Sequence, residues 1–483
     1  MKTFSENAAS EAIDVERRFV RWLFVLAAVV LLSVQQGSIT VSDGSHMYQV
    51  TRSLVERRSV SVPAASGDAR GRHGAYYSKY GIGLSLVAVV PYALAMPLTK
   101  VSGSADVVEV AAASSVVPII SAALLAMLYL LARRLGAGVG PALLVAVGAL
   151  LGTFFGPYAK DYFAEPLTAL GITVAVERLL TKKPLAAGAG LGIAILARPQ
   201  SILLVLLFGW ICWRCCGASG LVRLLPGLLA SLAITVGYNL VRFGQPTEFG
   251  YGPKEGFTTP LWHGGAGLLF NSEKSVILFA PLVLLVPIAL VELWKRSKDA
   301  TLLLLGNFLV TFTLAATWSS WPGGWSWGPR LLLPGLLPLF AAVGPWLRTP
   351  RRLQAGGALV LAGFLVSAPA LLVPTQTQQL DRPLPRTGPG FIRQYRLVPP
   401  VTRYTIEHLY ESAPSGLGTH RRYLSLWQVG LARAMGRKGL ALGFAGTLVL
   451  LVLAALAAAR CRWWFACSIR GAPRQPTIAH RQA

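Results

Sequence analysis

Runs of roughly twenty apolar residues recur from Phe19 to Arg460, and this recurrence constrains the chain more than any single motif. A helix of about 20 apolar residues matches the hydrocarbon thickness of a bilayer. Only 13% of the 483 residues are charged, and 54% are hydrophobic. A soluble domain carries about 25% charged residues. The expectation is an all-α polytopic membrane protein, and the soluble enzyme classes are excluded.

Apolar segments place spans near 20–37, 110–132, 139–156, 165–180, 185–197, 199–214, 221–238, 275–294, 300–317, 331–347, 354–373 and 439–459. That makes about twelve crossings, of which 185–197 and 199–214 are short for a bilayer. The seventeen residues 82–98 form a further apolar run, interrupted by Pro91 and Pro97. If that run lies at the interface and does not cross, every short basic segment falls on one side: "RRFVR", "RRLG" at 133, "ERLLTKK", "WRCC", "WKRSKD", "RTPRR" and "RCRWW". Lys and Arg collect in cytoplasmic loops, so these segments and both termini are expected inside, in a bacterial-type inner membrane. Pro199 breaks the run 185–214 into a hairpin of two short helices with "LARPQ" at its outer apex.

The formal net charge of +25 is in part this topology. Nucleic-acid binding is not expected, because no soluble basic domain is present to do it. The N-terminal 1–19 reads as a cytoplasmic tail, and no small-residue cleavage site follows the first apolar run. Cys212, Cys215 and Cys216 lack a second ligand pair at zinc spacing, and Cys461 and Cys467 follow the last span, so no metal site is read from the cysteines.

With that topology the unusual sequence gathers outside. It occupies 38–108, 157–164, 239–274, 318–330 and a long loop 374–438, within a transmembrane domain 20–373 followed by a last helix 439–459 and a basic tail 460–483. Acids close to a bilayer are costly and usually functional. Asp43 opens "DGSHMYQVTRSLVERR", where Met47, Val50, Leu54 and Val55 recur at helical spacing with Arg52 between them. That pattern is an amphipathic helix on the membrane surface, with Asp43 either its cap or a base held at the boundary. In "YAKDYFAEP", Asp161 and Glu165 stand four apart, on one face if helical, and Glu165 heads the next span, where a helix N-terminus favours negative charge. Arg52, Tyr77, Lys79, Lys160, Arg198, Tyr251, Lys274 and Arg330 are the external aromatic and cationic candidates for binding a substrate. Cations converging from several segments would make a phosphate site.

The stretch "WSSWPGGWSWGPR" (318–330) puts four tryptophans, three glycines and one arginine into thirteen positions. Interfacial placement accounts for some of the tryptophans. The glycines read as a tight turn or a close approach to ligand. Trp321 and Trp325 would then offer ring faces to a sugar or a polyprenyl chain, and Arg330 a charge to a phosphate.

Taken in order, "SDGSHMYQVTRSL", "YYSKYGIGLSL", "YFAEP", "LARPQ", "YNLVRFGQPTEFGYG", "GLLFNSEKSVILFAPL" and "WSSWPGGWSWGPRLLLPGLLP" resemble the GT-C class of membrane glycosyltransferases. The resemblance covers about residues 20–350 and is nearest to bacterial relatives of the protein O-mannosyltransferases and of the aminoarabinose transferase acting on lipid A. It implies interfacial helices in the first external loop. It also implies a polyprenyl-phosphate-linked sugar donor, Asp43 as the catalytic base and Glu165 as an assisting acid, with Asp161 a further candidate. Many relatives carry two adjacent acids where this chain has Asp43 followed by Gly44, which argues against a metal site at that place.

The expected function is transfer of a hexosyl or pentosyl group on the external face, to a glycan, lipid or protein acceptor. No cofactor is required by this reading, and a divalent metal stays open. The alternative is a transporter or flippase of lipid-linked saccharide. Carriers place ionisable groups in mid-membrane. Here the spans are almost free of them, with Asn307 the most polar interior side chain.

Overall fold

The computed structural model describes residues 2–35, 39, 42–64, 68–102, 112–272, 274–324, 326–372 and 427–470. Most of the expected external loop 374–438, and Trp325, lie outside the described residues.

Helix α1 (Lys2–Ser33) is followed by α2 (Ser42–Arg57), which begins one residue before Asp43. Three two-residue strands, β1 (Ser61–Val62), β2 (Ala69–Arg70) and β3 (Tyr76–Tyr77), form an antiparallel sheet in the order β1-β3-β2. Tyr77 lies opposite both Ser61 and Ala69. This small sheet is a departure from the all-α expectation. Three pairs of residues are too short to give a hydropathy period in the sequence. Then come α3 (Gly83–Ser102), α4 (Val116–Arg134), α5 (Val139–Leu151), α6 (Phe155–Ala159), α7 (Glu165–Leu180) and α8 (Pro184–Ala197). A 3-10 turn at Pro199–Leu203 leads into α9 (Leu204–Phe243). The rest comprises α10 (Leu261–Phe270), α11 (Val276–Phe279), α12 (Val286–Trp294), α13 (Lys298–Thr317), α14 (Leu333–Phe340), α15 (Pro350–Leu372) and α16 (Trp427–Arg470).

The expected count of about twelve crossings is corrected by helix length. Four helices among the described residues are long and apolar enough to cross a membrane: Ala112–Arg134, Pro199–Phe243, Lys298–Thr317 and Gly436–Cys467. Other expected spans are helical and apolar but shorter, as at Val139–Leu151, Pro184–Ala197, Pro281–Trp294 and Arg330–Trp346. At 1.5 Å per residue, a 14-residue helix is only about 21 Å long against a hydrocarbon core of about 30 Å. Prolines account for several interruptions, since Pro281, Pro334, Pro338 and Pro345 sit in or beside 3-10 turns that split their segments. The run 82–98 falls in the short apolar class as Gly83–Pro97.

Gly217, at φ 67° and ψ −167°, is non-helical inside α9, so the expected spans 199–214 and 221–238 are joined by a reversal. A methyl group added at Gly220 would meet Cys216 at 2.3 Å and the Cys212 sulfur at 3.3 Å, so the chain turns back tightly on itself there. The buried core runs through Leu128, Tyr129, Ile172, Leu191, Phe208, Leu303, Leu336 and Phe340. A second apolar cluster seats the first loop: Met47 and Tyr48 of α2 and Leu84 and Tyr92 of α3 pack with Val117, Tyr162 and Leu167.

The charged residues divide between two ends of the helices. At one end Arg133 pairs with Glu16 at 2.6 Å, Arg134 and Arg178 each reach Glu177 at 3.3 Å, Arg214 meets Asp299 at 3.3 Å, and Arg296 and Arg348 converge on Glu292 at 3.0 and 2.5 Å. These are the segments that the positive-inside reading groups together. Helix α7 starts at Glu165 and reaches this ion-paired end at Glu177, while α8 returns from it to Arg198.

Candidate active site

At the opposite end, Asp43, Glu165 and Arg198 line one pocket, and Arg330, which is not on its wall, pairs with both carboxylates. Each comes from a different part of the chain. Asp43 is in the first turn of α2, and Glu165 is the first residue of α7, followed by Pro166. Arg198 follows α8 in an extended conformation, and Arg330 ends the tryptophan elbow at the start of a 3-10 turn. The Arg330 guanidinium lies 2.8 Å from Asp43 Oδ2 and 3.7 Å from Glu165 Oε1. Arg198 also pairs with Glu165 Oε1. Two cations and two carboxylates therefore form one connected group, and Glu165 is fully buried within it.

Tyr80 completes the hold on Asp43 by donating its hydroxyl to Oδ1 at 2.7 Å. Glycines on either side of Ile82 explain how Tyr80 gets there. A methyl group at Gly81 would meet the Ala197 carbonyl oxygen at 2.6 Å, and one at Gly83 would meet the Ala197 nitrogen at 2.6 Å. Only glycine lets the start of α3 lie directly on the end of α8, next to Arg198. The sequence reading missed Tyr80. Three tyrosines stand in "AYYSKYGIG", and only the adjacent glycine pair distinguishes it.

Burial by itself would raise the Asp43 carboxyl, but the Arg330 guanidinium, the Tyr80 hydroxyl and the charge of Arg198 outweigh it and hold the group at about 2. Burial acts against the Arg330 cation, and Asp43 and Glu165 overcome it, so its pKa is raised. Burial followed by the Asp43 charge pushes the Tyr80 hydroxyl well up, so it stays a proton donor.

The pocket spans about 340 Å³ with the open solvent at its entrance included, and Asp43, Tyr80, Phe163, Glu165, Arg198 and Tyr251 are on its wall. Phe163 lies under Arg330, with the guanidinium carbon 5.2 Å from the ring centroid. Tyr251, on the wall, stands edge-on to Trp318 at 5.3 Å, and Phe257 stands edge-on to the same indole at 5.1 Å. Lys79 reaches Glu255 at 2.5 Å and sits 5.5 Å from the Tyr251 ring centroid, so it borders Tyr251 and not Asp43 or Glu165.

The elbow turns at Gly323 and Gly324, with φ of 74° and 68°, in the left-handed region that glycine adopts without strain. Lys274 ties this turn. Its buried ammonium donates to Ser326 Oγ at 3.0 Å, to the Gly324 carbonyl at 3.2 Å and to the Ser326 carbonyl. Trp321 is buried, with Gly267 against its ring and His263 edge-on at 6.2 Å.

Other expected site residues lie elsewhere. Asp161 is buried but does not line the pocket. Its Oδ1 accepts the Tyr162 N–H at 2.8 Å, and its Oδ2 has no hydrogen-bond partner among the described residues. Burial pushes this carboxyl up to about 7 and the neighbouring Lys160 ammonium down to about 8. Lys160 donates to the Leu371 carbonyl of α15. Arg52 pairs along α2 with Glu56 at 3.0 Å, and Glu56 also accepts from Tyr92 at 2.6 Å. Tyr77 packs edge-on to Phe243, ring centroids 6.0 Å apart. Among the described residues, no group of three or more His, Cys, Asp or Glu side chains is placed to hold a metal ion.

No protein-family model matches the chain, and no curated protein matches its sequence. Solved structures similar in overall path include ArnT from Cupriavidus metallidurans bound to undecaprenyl phosphate. That comparison gives 15% identity and a TM-score of 0.45, covering 98% of this chain and 77% of that one. The same protein in the apo state gives 15% identity and a TM-score of 0.46, covering 93% and 76%. The oligosaccharyltransferase of Archaeoglobus fulgidus in its apo form gives 11% identity and a TM-score of 0.44, covering 72% and 56%. At TM-scores below 0.5 the likeness assigns the chain neither to a family nor to an activity.

Proposed function

We propose that this protein is a GT-C-type glycosyltransferase that moves a sugar from a polyprenyl phosphate to an acceptor on the external face of the membrane. One observation carries the reading. A carboxylate at the head of the amphipathic helix α2, Asp43, lies on a pocket wall with Arg198 and is ion-paired to Arg330. That pairs a base with the cations a phosphate leaving group requires.

Chemically, the acceptor hydroxyl or amine attacks the anomeric carbon and forms the new glycosidic bond. The bond from that carbon to the phosphate oxygen breaks, and its electron pair stays on the phosphate, which becomes a monoester. Asp43 takes the acceptor proton, which requires hydrogen-bond reach and an ionised carboxyl. Its pKa of about 2 keeps it ionised at neutral pH. Arg330 and Arg198 offset the charge that develops on the leaving oxygen. Glu165, between them, fixes both guanidiniums in place. Tyr251, Trp318 and Phe257 offer flat apolar faces suited to a sugar ring or the first isoprene units.

The test is transfer of radiolabelled sugar from a polyprenyl phosphate in proteoliposomes, comparing wild type with Asp43→Asn at equal protein levels. Removing a general base costs about 100- to 10,000-fold in rate. Unchanged transfer by the variant would remove Asp43 from this role. Absence of transfer by the wild type from any polyprenyl-phosphate sugar would remove the whole reading.

A further inference from the structure

In this structure both oxygens of Asp43 are occupied, Oδ1 by the Tyr80 hydroxyl at 2.7 Å and Oδ2 by Arg330 at 2.8 Å. Each partner takes a lone pair and steadies the negative charge, so Asp43 is a weaker base while Arg330 holds it. Arg330 is also spread between two anions, because Glu165 lies 3.7 Å from its other terminal nitrogen. The charges of the ion-paired group balance, two guanidiniums against two carboxylates. Nε of Arg330 and Nε of Arg198 are buried without a hydrogen-bond partner among the described residues, so both cations retain unspent donor capacity.

Building on the glycosyltransferase reading, we propose that Arg330 is a latch, holding the base Asp43 until a lipid-linked phosphate competes for the same guanidinium and releases it. The donor phosphodiester brings one negative charge into a balanced group; Arg198 meets it on the pocket wall, and Arg330, shared between Asp43 and Glu165, is the cation whose recruitment frees the base. As Arg330 turns to the phosphate, Oδ2 of Asp43 becomes free to accept from the acceptor. Once Asp43 has taken the acceptor proton it is neutral and no longer attracts Arg330. The guanidinium is then fully available to the phosphate, which has gained the electron pair of the broken bond. Proton acceptance and leaving-group stabilisation are coupled through one side chain, and the base is masked while the site holds no donor.

This arrangement makes an unusual demand, since the base and the donor are competitors in the resting state. Asp43→Asn removes the competitor at nearly constant shape. The amide oxygen can still accept from Arg330, but the charge that holds the guanidinium is gone, so Arg330 is held more weakly. Binding of undecaprenyl phosphate in detergent is measured by calorimetry for wild type, Asp43→Asn, Arg330→Ala and the double variant. The expected result is about tenfold tighter binding to Asp43→Asn, with catalysis lost, since removing a neighbouring like charge is worth a pKa-unit-sized effect. In the Arg330→Ala background the same substitution should tighten binding clearly less, because only the direct repulsion between carboxylate and phosphate is then relieved, and equal gains in both backgrounds overturn the latch. Glu165→Gln, which relieves the other claim on Arg330, should tighten binding in the same direction and serves if Asp43→Asn is not recovered folded. Unchanged or weaker lipid binding by the carboxylate variants, with wild-type binding intact, overturns the latch alone. Failure of the wild type to bind or use any polyprenyl phosphate overturns the function on which it rests.

Discussion

Tyr80 donates its hydroxyl to Asp43 Oδ1 at 2.7 Å, joining the start of α3 to the start of α2 across 37 positions of sequence. The bond stabilises the charged carboxylate, so Tyr80→Phe should raise the Asp43 pKa. The expected outcome is a fall in kcat of about tenfold, in line with roughly 1.5–3 kcal/mol for a hydrogen bond to a charged group that is partly replaced by water. KM for the donor should change little. The acidic limb of the kcat/KM profile should move upward, because a carboxyl of higher pKa becomes protonated, and useless as a base, at higher pH. An unmoved acid limb would mean that Tyr80 does not act through Asp43.

Lys274→Met should destabilise the protein. Its ammonium satisfies two elbow carbonyls and the Ser326 hydroxyl in a buried place, and each buried group left unpaired costs about 1–3 kcal/mol. Arg330 lies four residues beyond Ser326, so a loosened elbow should also raise the donor KM. Thermal unfolding in detergent, read beside steady-state kinetics, checks both. An unchanged melting temperature with donor binding lost would make Lys274 a phosphate ligand and not a strut of the turn.

The sequence made legible the features that obey a local period. Recurrent apolar runs announced the helices, Met47, Val50 and Leu54 announced α2, and the glycines before Trp325 announced a turn that Gly323 and Gly324 make at positive φ. Asp43, Glu165, Arg198, Tyr251 and Arg330 could be named because charge and aromatic side chains stand out against an apolar background. Partner choice was not legible. Lys274 and Arg330 look alike as external cations, yet one ties the elbow and the other spans two carboxylates. Tyr77 and Tyr80 stand three apart in one motif, yet a backbone approach at Gly81 sends only the second to Asp43. Crossing number failed for a related reason, because hydropathy does not reveal where a proline converts a helix into a 3-10 turn.

Asp161 should set a pH dependence of stability. Burial raises its folded pKa to about 7, above the ordinary carboxyl value, so the folded state favours the protonated form. The sign follows from proton linkage: the unfolded chain binds fewer protons between about pH 4 and pH 7, so stability falls as pH rises through that window. Asp161→Asn keeps the hydrogen-bonding shape without the charge. It should be more stable than wild type at pH 8, with the gap closing towards pH 4. Melting temperatures of the two proteins across that range decide it, and a constant difference would show that Asp161 does not titrate there.

Sidedness is open to a direct chemical test, because the two ends of the helices differ so strongly. Lys254 is exposed beside Glu255 and Tyr251, on the pocket side, and Lys295 is exposed at the end of α12, beside the cluster around Glu292. Short basic loops stay in the cytoplasm, and by that rule Lys295 is expected inside and the pocket outside. In a background with the five native cysteines replaced, Lys254→Cys should react with a membrane-impermeant maleimide on intact cells, and Lys295→Cys only after permeabilisation. Both positions lie away from the carboxylates, so neither substitution disturbs the group that holds Arg330. The reverse labelling pattern would turn the pocket to the cytoplasm. A lipid-linked donor presented on the outer leaflet could not then reach Asp43, and transfer on the external face would be excluded.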